Sequence, residues 1–209
     1  MAPQDSRATF LRIPWAATLL KQPNTICRVP NSRESKSSTE DSLFAEILKG
    51  PRTLRSCLVF YQKPPADKEW VEDVSVLFTL GNGMNGHPNV LHGGIVAALL
   101  DEAMGMLQGC NHERRHMSAV AKGKADGELP PQPNASYTAT FQINYLKPVQ
   151  TPGALIVSTR YLKRDGRKTW VYAEIKQREN IGEDYDGDEV VCATGEALFI
   201  EPKPKKSKL

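Results

Sequence analysis

His92-Gly93-Gly94-Ile95-Val96-Ala97-Ala98-Leu99-Leu100-Asp101-Glu102-Ala103-Met104-Gly105 is the stretch on which the fold turns. From Gly94 to Leu107 the chain is a continuous apolar run with only Asp101 and Glu102 as charges, and Gln108 and Gly109 follow it. That length and composition predict a buried central helix. Two glycines at its start leave backbone N–H groups with no Cβ to block a ligand, and the helix dipole favours negative charge there. Asp101 sits among Ile, Val, Ala, Leu and Met, where an unpaired carboxylate is expensive to bury. At helical spacing it shares the small-residue face of Gly94, Ala97, Ala98 and Gly105, which a substrate or another backbone can approach closely. Glu102 falls instead among Ile95, Ala98, Leu99 and Met106. The bland alternative, a solvated acidic stripe, sits poorly with apolar residues on every other face, so a working role is read for Asp101 and less strongly for Glu102.

Outward from the helix the pattern changes to alternation. Val74, Val76, Phe78 and Leu80 share one side of a strand from Asp73 that ends at Gly81-Asn82-Gly83, as a half-buried strand requires. After the helix, residues 109–135 are polar, with Arg114-Arg115 and Pro130-Pro131, and read as a long loop. Four strand candidates follow: Thr138–Leu146, Ala154–Leu162, Thr169–Arg178 and Val190–Ile200. Arg164-Asp165-Gly166-Arg167 is read as the hairpin turn joining the second to the third. Strand, long helix, antiparallel meander is the order of an α+β fold in which a curved antiparallel sheet wraps one central helix. Upstream, Ser42 is expected to cap a helix running to about Gly50, and a second short helix is expected around Thr53–Tyr61. Residues 31–42 are serine-rich and polar and read as a linker. The expected organisation is therefore an N-terminal arm and linker over 1–42, one domain over 43–200, and a polar tail over 201–209.

Composition narrows the function classes. With 40% hydrophobic and 24% charged residues over 209 positions, the chain has an ordinary globular make-up, and no run reaches the roughly 20 apolar residues of a membrane span. The net charge of +3 is slight, and Lys203, Lys205, Lys206 and Lys208 read as a solvated tail, so nucleic acid is not an expected partner. Cys27, Cys57, Cys110 and Cys192 show no CxxC spacing and are read as reduced. His112 and His116 have no metal-ligand spacing to an acid, and neither a metal nor a cofactor is expected. The apolar stretch Phe10–Leu20 is broken by Arg12 and Pro14, which argues against a secretory signal. The last three residues, Ser207-Lys208-Leu209, form the peroxisomal import tripeptide, so the peroxisome is the expected location and its import receptor an expected partner.

The helix stretch resembles the motif of the 4-hydroxybenzoyl-CoA thioesterase superfamily, hotdog-fold enzymes, in its phenylacetyl-CoA thioesterase-like and thioesterase superfamily member branches. The likeness lies in His92-Gly93-Gly94 and the acid eight positions after the first glycine. It implies acyl-CoA hydrolysis, with Asp101 as catalytic base or nucleophile and the Gly93 N–H polarising the thioester carbonyl. Tyr137 to Pro148 is similar to the family's strand ending in Tyr-x-x-Pro, which passes to Thr138 the role of placing the attacking water and to Asn144 a contact with CoA. The turn Asp165-Gly166-Arg167-Lys168 resembles one that contacts CoA. His92 is read as orienting the loop by hydrogen bonding, and Gly94 as lining the substrate. The family's polar partner for the carbonyl is left open among Asn85, His87 and Asn89. CoA enters as part of the substrate.

Helix geometry adds an expectation of its own. Asp101 lies roughly 12 Å along the axis from Gly93 at about 1.5 Å per residue, so the two reach one carbonyl only if they come from different subunits. A homodimer, or a dimer of dimers, is expected. Two rivals are a hotdog hydratase, for which His87 stands where an Asp is needed, and a non-catalytic acyl-CoA-binding or protein-binding module, against which Asp101 argues.

Overall fold

The computed structural model describes residues 6–65, 68, 70–127, 136–178 and 187–203. The tripeptide Ser207-Lys208-Leu209 lies outside them. Two short helices, α1 (Ser6–Leu11) and α2 (Pro14–Leu20), precede strands β1 (Thr25–Arg28), β2 (Leu54–Gln62) and β3 (Asp73–Leu80). A small ribbon, β4 (Asn85–His87) and β5 (Val90–Leu91), leads into helix α3 (Gly93–Ala121), and β6 (Tyr137–Tyr145), β7 (Gly153–Asp165), β8 (Lys168–Arg178) and β9 (Glu189–Ile200) follow. Seven strands form one antiparallel sheet in the order β1-β2-β3-β7-β8-β9-β6. Helix α3 lies across it against β3, β7, β8 and β9, as the order of elements leads one to expect.

The sheet is covered on both sides. On one side Leu99, Leu100, Met104 and Leu107 of α3 pack with Val76, Phe78, Val157 and Ile175. On the other, Phe10, Ile13, Ala16 and Leu20 of α1 and α2 pack with Leu58, Phe60, Leu77 and Ile156. Burial on both faces explains one correction. The segment expected as a short helix at Thr53–Tyr61 is strand β2: Cys57 and Val59 enter one core and Leu58 and Phe60 the other, and the period-of-two signal disappears when both faces are apolar.

Helix α3 is also longer than expected, running to Ala121 through what reads as loop in 109–135. Glu113, Arg114, Arg115, Met117 and Ala119 are good or fair helix formers, and buried Asn111 anchors the segment. Its side-chain amide donates to the Val71 and Leu107 carbonyls, and its Oδ1 accepts from the Val71 N–H. The helix expected from Ser42 to Gly50 is a single wide turn over Leu43–Ile47. Ser42 donates its hydroxyl to the Thr39 carbonyl and caps nothing. Phe44 and Leu48 are buried, whereas Ile47 is 70% exposed.

The 31–42 stretch carries the buried Arg33, whose guanidinium donates to the carbonyls of Phe44 and Leu54 at 2.7 and 2.8 Å. In the β7–β8 hairpin Asp165 pairs with Lys168, so Gly166-Arg167 form the loop, with Gly166 at φ +55°. Glycine supplies that left-handed conformation without strain.

Strand β6 sits at a sheet edge and fastens α3. Phe141 lies over Gly195 of β9, where a Cβ would stand 2.7 Å from the ring. Only glycine leaves that room, and Leu100 of α3 adjoins the same point. Large side chains of the strand remain bare, with Tyr137 at 67% and Tyr145 at 58% exposure.

Candidate active site

The site is assembled where β6 runs beside α3. Thr138 Oγ1 donates to Asp101 Oδ1 at 2.8 Å, so two residues 37 positions apart in sequence meet as the motif requires. Farther along, Ser136 donates to Gln108. At the other end, the Tyr145 hydroxyl donates to the Gly93 carbonyl at 3.1 Å, and its ring lies beside the Gly93 Cα. Strand β6 and the residue before it therefore touch α3 at its first residue, at the acid and beyond it. Tyr145 is the tyrosine of the Tyr-x-x-Pro motif, but nothing in the sequence gives it a role in the site, because its contact with Gly93 depends on where β6 lies against α3.

His92 is the N-cap of α3, its Nδ1 accepting from the Gly94 N–H at 2.9 Å, while its own carbonyl accepts from Ile95 and Val96. The Gly94 donor is thus occupied by the cap. The Gly93 N–H finds no acceptor among the described residues and is the donor left at the helix start. Gly93 and Asp101 belong to the same helix, two turns apart, and the structure does not bring them together within one chain.

Of the three candidates for a polar carbonyl partner, Asn85 accepts at Oδ1 from the Thr151 hydroxyl, and Asn89, at φ +58°, accepts at its carbonyl from the Thr151 N–H. His87 is exposed. The first two hold the β4–β5 ribbon against the loop at Thr151. Asn144 bonds across to Thr194 at 3.4 Å, Arg167 donates to the Glu201 carbonyl, and Lys168 is exposed. None of these three touches Asp101 or Gly93.

Two cavities meet α3 at Gly105, one turn beyond Asp101. The larger, about 560 Å³, runs past Gly105, Gln108 and His112 to the β7–β8 hairpin at Gly166 and Thr169. It is cationic at its far end, where Arg115 and Arg164 stack on Trp70 at 5.3 and 4.2 Å from the ring centre. A third cavity, about 280 Å³ and mainly apolar, opens beside Gly93 between Val96, Tyr145, Val149 and Cys192. No group of three metal-ligating side chains occurs among the described residues, and no helix among them is long and apolar enough to cross a membrane.

Residues 88–182 match the family model described as the thioesterase superfamily. That span contains His92, Gly93, Asp101, Thr138, Asn144, Arg167 and Lys168, so the resemblance read from the motif is borne out. Two curated proteins are similar to the chain. One is verlamelin biosynthesis protein B of a Lecanicillium species, 26% identical over 180 residues, covering 78% of this chain and 74% of that protein. The other is the acyl-coenzyme A thioesterase THEM4 of Bos taurus, 24% identical over 131 residues, covering 63% of this chain and 42% of that protein. The chain thus spans less than half the length of the bovine protein. Among solved structures, zebra fish thioesterase superfamily member 2 is similar with a TM-score of 0.50 at 12% identity, covering 82% of this chain and 92% of that one. The hotdog fold expected from the sequence is thereby shown.

Proposed function

We propose that the protein hydrolyses acyl-CoA thioesters to free acid and CoA as a homodimer, with Asp101 of one subunit and the Gly93 N–H of the other acting on one carbonyl. The observation that carries this reading is the 2.8 Å bond from Thr138 to Asp101. With its proton given to the carboxylate, the Thr138 oxygen still accepts one from water, and the second Asp101 oxygen accepts the other. A water held this way presents a lone pair to the thioester, which favours the general-base role over the nucleophilic one. Water adds to the carbonyl as its proton passes to Asp101, the oxyanion forms at the Gly93 N–H, and the C–S bond then breaks with the proton returned to the leaving thiolate.

The two-subunit site has support besides distance. Strand β6 is an unpaired edge with bare aromatic side chains, a surface that an edge strand of a second copy would cover. The cavity beside the Gly166 hairpin, where Arg164 is paired with Glu72 at 3.2 Å and Arg115 adds a second guanidinium, suits the phosphate-bearing part of CoA. The bovine relative described as an acyl-coenzyme A thioesterase agrees with an acyl-CoA substrate.

Release of free thiol from a panel of acyl-CoAs tests the reading. Asp101→Asn keeps the size of the side chain and should lower kcat by about 10² or more, and normal turnover would defeat the assignment. A hydratase would change the enoyl absorbance without freeing thiol, and a binding module would do neither. For location, deleting Leu209 should leave a tagged protein in the cytosol with its activity intact, and an unchanged punctate pattern would reject the address.

A further inference from the structure

A cavity of about 250 Å³ lies on the other side of Gly105, between α3 and the segment that precedes β2. Its floor is apolar, with Val59 and Met106, and its walls include Ser32 and Glu102. Both walls hold a polar atom that is buried and without a hydrogen-bond partner among the described residues, Ser32 Oγ and Glu102 Oε1. The hydroxyl is near enough to the carboxyl to stabilise its ionised form somewhat, but the geometry falls short of a hydrogen bond for those two atoms. Buried polar atoms are nearly always satisfied, and each orphan calls for an explanation. Arg28 Nε, in the lining of the same cavity, is a third, and three orphans around one cavity, one of them on the residue that follows Asp101, point to a ligand group that pairs with them.

Charge decides what kind of group. The cations at the rim are already neutralised, Arg28 by Glu113 at 2.6 Å and Lys36 by Asp41 and Glu40, and buried Arg33 is spent on backbone carbonyls. An anion would therefore meet Glu102 with no cation free to receive it. An amine would meet Arg28, Arg33 and Lys36 close by. A neutral group that both donates and accepts matches a carboxyl and a hydroxyl together. Access runs over Gly105, which lines both this cavity and the larger one, and a Cβ built there meets nothing within 4 Å. An acyl chain whose carbonyl sits at Asp101 crosses that gap one helical turn on.

We infer that the cavity bounded by Ser32, Glu102 and Met106 is an acyl subsite selective for chains that carry a hydroxyl group, not for plain alkyl chains. The inference rests on the acyl-CoA reading of the site, and its test is separable from that reading. Non-hydrolysable S-alkyl-CoA thioethers of one length, with a hydroxyl walked along the chain, are compared with the unsubstituted thioether by calorimetry on the full-length protein.

At one hydroxyl position the wild-type protein should bind about tenfold tighter than to the unsubstituted analogue, the size of one well-made hydrogen bond. Ser32→Ala and Glu102→Leu should each erase that ratio, and the alanine variant, the milder change, keeps the test alive should the leucine variant fold poorly. Equal affinity at every position overturns the subsite, as does a preference that survives in both variants. A hydroxyl preference with no thiol release from any acyl-CoA overturns the hydrolase reading and leaves the subsite standing, whereas thiol release with no preference does the reverse.

Discussion

Glu102 and Asp101 are adjacent in sequence, yet their surroundings push them to different tasks. Asp101 meets a hydroxyl at the sheet edge. Burial pushes the Glu102 carboxyl up to about 7 from an ordinary 4.5, with Asp41 and Asp101 adding to the rise and Ser32 and Arg33 opposing it. The pH dependence follows. Below about 4.5 the carboxyl is neutral whether folded or unfolded, and the fold keeps its full advantage. As pH rises through 7 the folded protein must ionise a buried group, and about 3 kcal/mol of stability is lost. Glu102→Gln removes the titration, so it should melt several degrees above wild type at pH 8 and close to it at pH 4.5, as scanning calorimetry at the two pH values would show. A constant offset between the two proteins would contradict this. Thr138→Ala should lower kcat by about tenfold, less than Asp101→Asn, because positioning water is a smaller task than accepting its proton. Equal losses would mean that Thr138 does more than position.

At the scale of elements, the core half of α3 was legible because its apolar run admits no other reading, and β3 because one of its faces alternates cleanly. The far half of α3 was not, since residues 109–121 are held by a side-chain-to-backbone clasp at Asn111 that composition does not show. In the site, Asp101 and His92 were legible from the motif. The contact of Tyr145 with Gly93 and the meeting of Ser32 with Glu102 were not, because sheet register and the path of the N-terminal segment bring them to α3. The helix also carries the test of shared subunits. Asp101→Asn and Gly93→Val should each be inactive, the second because a branched side chain fills the space beside the Gly93 N–H, where a Cβ alone already reaches contact with the Tyr145 ring at 3.5 Å. Co-refolded, random pairing gives half mixed dimers with one intact site each, and activity should return to about a quarter of wild type. A dead mixture in which mixed dimers are shown to form would place the site within one chain or discard one of the two residues.

For the whole molecule, the sheet separates two cores, and the smaller one depends on α1 and α2. Phe10 is fully buried there, and Phe10→Ala should cost about 3–5 kcal/mol in denaturant unfolding. A loss below about 1 kcal/mol would mean that the N-terminal helices contribute little to the fold. The two helices have 6 and 7 residues, and neither would hold its shape off the sheet. They should therefore open together as a cooperative unit at a free energy below that of global unfolding. In native-state hydrogen exchange, amides of Ala17 and Leu20 should become labelled well before those of Leu99 and Val157. Each such opening would briefly bare Leu58, Phe60 and Leu77, so any aggregation that starts from the folded protein should follow the rate at which this N-terminal clasp lifts and not the melting of the main core.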